Sequence, residues 1–145
     1  DALAAQPLPD PAAAALAYRI RLLSPDYEAA SATPPDGAAA FAFWAALAQG
    51  NPAHEAAPDP VARAIAEGFS AQAPNGGASP ADLLQAPDAR PLGAAILRAM
   101  ALFDSGARGN AADLTRALAM FRALGLEDSA RRAALQVLLL GRDRQ

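Results

Sequence analysis

His54, followed directly by Glu55 in the loop after Gly50-Asn51-Pro52, is the only pair in this chain able to move a proton near neutral pH. Acid–base chemistry rarely works from one such pair. The chain has no cysteine and no lysine, and all twelve of its basic residues are arginine. Covalent catalysis needs an activated Ser, Cys or Lys beside a base. Metal binding draws on several His, Cys or clustered carboxylates. Neither set stands in a recognisable frame, so His54 reads as a solvated loop residue and the protein as non-enzymatic. No catalytic, cofactor-binding or metal-ligating residue is assigned, and no cofactor is expected.

The carboxylates are better explained by helix ends. Asp10, Asp36, Asp59 and Asp128 fall at or beside expected helix starts, and Asp82 and Asp113 lie one turn in, where acids satisfy orphan N–H groups and complement the helix dipole. Asp88 and Asp104 have no such account, but two isolated carboxylates make neither a glycosidase pair nor a cation site. The stretches PNGGAS and DSGARGN contain glycine but lack the lysine of a phosphate loop, and no strand precedes them.

Arginines remain. Glu127 and Asp128 precede Arg131 and Arg132 by four residues, the favourable order for ion pairs along one helix. Arg98 and Arg122 have no such partner, and Arg108 is separated from Asp104 by Gly106, read here as a helix end. These three, Arg98, Arg108 and Arg122, are the candidates for contact with a partner. Leu135 and Leu139 join them, because each follows a charged residue by seven and so falls on the charged side of the last helix. Charge is unevenly divided: residues 1–91 hold four arginines against ten acids, and residues 92–145 hold eight against five. A net charge of −3 and no basic stripe argue against a nucleic-acid binder, so the expected partner is a protein or a second copy of the chain.

These residues must be positioned by helices. Roughly three residues in ten are alanine, the best helix former, and no stretch shows the β-branched alternation of a strand. Asp10-Pro11, Ser24-Pro25, Asp59-Pro60 and Ser79-Pro80 each set a capping oxygen before a proline whose φ is already helical. The spacing predicts helices over 11–24, 25–31, 37–49, 60–70, 80–86, 91–105, 111–124 and 127–140, with 71–78 a loop. All thirteen prolines lie at or before Pro91. The expected fold is all-α: six to eight short antiparallel helices in a bundle or short α-solenoid, forming one domain over 10–145. Residues 1–9 suit a linker or the start of a mature exported, periplasmic-type protein. No stretch is long and apolar enough to span a membrane.

Apolar spacing gives each helix an expected inner face: Leu16, Ile20 and Leu23; Leu92, Ile96, Ala99, Met100 and Phe103; Leu114, Leu118 and Phe121; Ala130, Val137 and Leu140. Residues 37–49 are apolar on most sides, with Phe41, Phe43, Trp44 and Leu47, and are expected at the centre of the core.

Residues 111–140 resemble a tetratricopeptide hairpin. Phe121 stands at the aromatic position of its first helix, Gly125 at the turn and Ala130 at the small position of its second. Leu114 replaces the usual tryptophan, Leu118 a glycine and Arg142 the closing proline, and no neighbouring hairpin repeats the 34-residue period. The resemblance implies a protein-binding scaffold. A pocket near Trp44 holding an apolar ligand is the alternative.

Overall fold

The computed structural model describes residues 10–37, 39–71 and 90–141. Among the described residues the helices are α1 (Pro11–Leu22), α2 (Tyr27–Ser31), α3 (Ala39–Ala48), α4 (Pro60–Ser70), α5 (Arg90–Ala107), α6 (Ala111–Ala123) and α7 (Glu127–Leu140), with a 3₁₀ turn at Pro52–His54. No strand occurs among the described residues, and the fold is all-α. The expected linker 1–9 and helix 80–86, with almost all of the loop 71–78, lie outside the described residues.

Starts are set as the Asp-Pro pairs require. Asp10 Oδ1 accepts from the Ala12 N–H at 3.0 Å, and Asp59 Oδ1 from the Ala62 N–H at 2.8 Å. Ser24 behaves differently. Its hydroxyl donates to the Arg21 carbonyl (2.7 Å) and accepts from the Asp26 N–H (3.2 Å), closing the turn after α1, and α2 begins only at Tyr27.

Packing runs in sequence from one side to the other. α5 packs on α6 and α6 on α4; α7 lies against α6 and α3; α2 bridges α3 and α1. Phe43, Leu47, Ile65, Leu114, Leu118, Leu135, Leu138 and Leu139 are fully buried together. α3 buries Phe43, Trp44 and Leu47 but packs on α2 and α7, while α6, which meets α4, α5 and α7, holds the more central place. The Trp44 ring lies 5.2 Å from that of Phe41, which meets Tyr18 at 5.8 Å. Close approach replaces bulk where glycine allows it. A Cβ on Gly68 would stand 2.9 Å from Leu118 Cβ, and one on Gly106 2.6 Å from Leu114 Cα.

Several expected faces are corrected. Gly106 does not end a helix: α5 runs through it to Ala107, and the chain turns instead at Gly109, where φ is +117°. α1 buries Tyr18 and Leu22, so Leu16, Ile20 and Leu23 lie on its outer side. α5 buries Ala99 and leaves Met100 exposed. The last helix is turned as well. Ala130, Ala134, Leu135, Leu138 and Leu139 form its buried arc, Val137 is half-buried and Leu140 is exposed.

Candidate functional site

A helix ends with carbonyls that have no partner and a partial negative charge. α3, α4 and α7 each lack a basic residue in their own last turn. Each receives an arginine from a distant helix. Arg131 of α7 donates to the Ala48 carbonyl at the end of α3 (2.9 Å). Arg122 of α6 donates to the carbonyls of Phe69 and Gly68 at the end of α4, the latter at 3.4 Å. Arg19 of α1 donates to the Leu139 carbonyl at the end of α7. A guanidinium suits this work because it carries several donors on one plane and keeps its charge when partly buried.

Two of these arginines are held by further groups. Arg122 pairs with Glu127 at 3.1 Å and lies 5.4 Å from the centre of the Phe69 ring. Arg131 pairs with Glu28 at 2.6 Å and lies 5.6 Å from the Tyr27 ring centre, with Arg132 at 4.9 Å from the same ring. The Tyr27 hydroxyl donates to Asp128 Oδ1 at 2.6 Å, and Arg132 Nε donates to the other oxygen of that carboxylate at 2.8 Å. Burial, reinforced by that hydrogen bond, pushes the Tyr27 phenol up to about 12. The same bond, with help from Arg132, lowers Asp128 against the opposing effect of its own desolvation.

The expected partner-binding residues therefore separate. Arg122 has no partner in its own helix, but it finds partners in α4 and at the start of α7. Arg108 pairs with Asp104, because α5 continues through Gly106 and keeps the two a turn apart. Leu135 and Leu139, at 1% and 0% exposure, are core residues. Their misplacement has one cause. Asp128 and Arg132, the charged residues seven before them, are turned onto the buried Tyr27, so their charge does not mark the outward side. Arg98 and Arg108 stay exposed, and of the five candidates Arg98 alone combines exposure with no partner among the described residues. His54 and Glu55 are both exposed, and no group of three or more potential metal ligands occurs among the described residues.

No family model, curated protein or solved structure matches the chain.

Phe121 and Ala130 of the tetratricopeptide-like segment are buried, and Gly125 turns the chain with φ +78°. α6 nevertheless packs more extensively on α5 and α4 than on its hairpin partner α7.

Large apolar side chains outside the core mark two seams, in which Leu16, Ile20, Leu23 and Met100 are residues expected on inner faces and Leu97 is not. On α1, Leu16 and Ile20 are 54% and 60% exposed, with Leu23 next to them. On α5, Leu97 and Met100 are 67% and 53% exposed, and Arg98 lies beside them. The signal was available for α1: Tyr18 and Leu22, four apart, form a competing apolar face in a helix otherwise dominated by directionless alanine. No described helix is long and apolar enough to cross a membrane.

Proposed function

We propose that the chain is a non-enzymatic protein-interaction module. The observation that supports this reading is the pair of exposed apolar seams, on α1 and α5, in a fold whose other large apolar residues are mostly internal. Apolar surface gathered on one helix face, in place of single scattered residues, is characteristic of contact sites. The polar side chains point the same way, because most of the arginines and carboxylates with assigned contacts serve helix ends and helix pairs. The alternative, an apolar ligand near Trp44, has no specific observation in its favour: the rings of Tyr18, Phe41 and Trp44 already pack edge to face.

A photo-crosslinking amino acid placed at Leu97 or Ile20, with the exposed position Arg63 of α4 as control, tests the reading in cells. Discrete adducts from one seam and not from position 63 are expected. Identical patterns at all three positions, or none, contradict it.

A further inference from the structure

We infer that the outer face of α5, Leu97 and Met100 with Arg98 beside them, docks an acidic amphipathic segment of a partner protein. The inference rests on the interaction-module reading and supplies its site and the chemistry of the partner.

α5 is the longest described helix, and among the described elements it packs extensively on α6 alone. It makes that contact through small residues and one ring. Ala99 is buried, Gly106 lies against the Leu114 backbone, and Phe103 meets Phe121 with ring centres 6.1 Å apart. Leu92, Ile96 and Leu102 are half-buried, and Leu97 and Met100 are left facing out. Unbranched methionine adapts to differing partner shapes, which suits it to a contact surface.

Charge decides what covers this face. The α5–α6 segment, residues 90–116, holds four arginines against two aspartates, whereas residues 10–71 hold three arginines against seven acids. Both aspartates of the segment are engaged. Asp104 pairs with Arg108, and Asp113 accepts from Ser105 (2.7 Å), from the Asn110 side chain (2.7 Å) and from Arg116 (3.4 Å). Arg98 has no carboxylate partner among the described residues and can take one from a partner, in the two-pronged geometry a guanidinium favours. A second copy fits poorly. Matching α5 faces would oppose Arg98 to itself, and α1 offers it no acid between Pro11 and Leu23. Two side chains also fall far short of the roughly 800 Å² per partner that a stable dimer buries.

The test uses three fluorescent probes with the whole chain: a helical peptide with leucine at heptad spacing and glutamate elsewhere, its lysine-for-glutamate counterpart, and phosphatidylglycerol vesicles. Saturable binding of the acidic peptide is expected, weakening as salt rises. Leu97→Asp and Met100→Asp should each lower its affinity about tenfold or more, as loss of a central apolar contact does. Arg98→Glu should lower affinity and flatten the salt dependence. Ile20→Asp should leave binding unchanged. Circular dichroism checks folding, with Leu97→Gln and Met100→Gln replacing any aspartate variant that unfolds. The inference is overturned if the acidic peptide does not bind, if the lysine peptide binds equally well, or if vesicles alone bind through Leu97. Loss of binding in Ile20→Asp alone moves the site to α1 and leaves the interaction reading standing. Crosslinks from position 97 without affinity for the acidic peptide overturn the stated partner chemistry and not the module.

Discussion

Arginine is the residue that organises this molecule, and tyrosine reports on it. Both tyrosines of the chain are buried. Burial pushes Tyr18 up to about 12, with Arg21 pulling weakly the other way, and its buried hydroxyl has no hydrogen-bond partner among the described residues. Tyr27 stands at about 12 as well. An ultraviolet titration should therefore show no phenolate near the usual pKa of about 10. The two groups stabilise the fold below pH ~10, and that contribution is lost as pH rises towards ~12, because the unfolded chain ionises first. A full tyrosine step at pH ~10 with the fold intact would contradict the burial of both rings. Asp128 works in the opposite direction. Its lowered pKa adds stability above about pH 4 that disappears on acidification below it.

Elements depend on where glycine permits approach. Gly106→Ala would force a methyl against the Leu114 backbone, which cannot move away as a side-chain tip can, and should cost about 1–3 kcal/mol. Gly93 lies in the same helix with nothing within 4 Å of an added Cβ. Gly93→Ala should stabilise by about 0.5–1 kcal/mol through helix propensity. Urea denaturation of the two variants checks the pair, and equal effects would mean that α5 does not approach α6 as described. The helix starts at Asp10 and Asp59, and the burial of Phe43, Trp44 and Leu47, are legible because capping oxygens and an all-apolar stretch are local signals. Facing was less so. Alanine carries little directional information, so α1 was read by its leucines and not by Tyr18. A glycine in a helical stretch means either an end or a contact, and Gly106 was read as the wrong one. The arginine caps left a weaker signal: α3, α4 and α7 have no basic residue of their own at the C-terminus, so the charge had to come from elsewhere.

At the scale of the whole molecule, residues that close the fold are separated from residues left to meet something else. Leu139 belongs to the first group. Leu139→Ala should cost about 2–5 kcal/mol, as for other buried leucines, measured by denaturant unfolding. A loss below about 0.5 kcal/mol, typical of a surface position, would return Leu139 to the surface. Arg122 and Arg98 test the separation most directly, because sequence reasoning grouped them and the structure divides them. The decisive measurement is the thermal melting of Arg122→Glu beside Arg98→Glu. Reversal at Arg122 sets a carboxylate against the Phe69 and Gly68 carbonyls and against Glu127, and should lower Tm by roughly 5 °C or more. Reversal at Arg98 should leave Tm within about 2 °C of the wild type. Equal losses in the two variants, or a larger loss at Arg98, would contradict the division of the arginines between fold and surface.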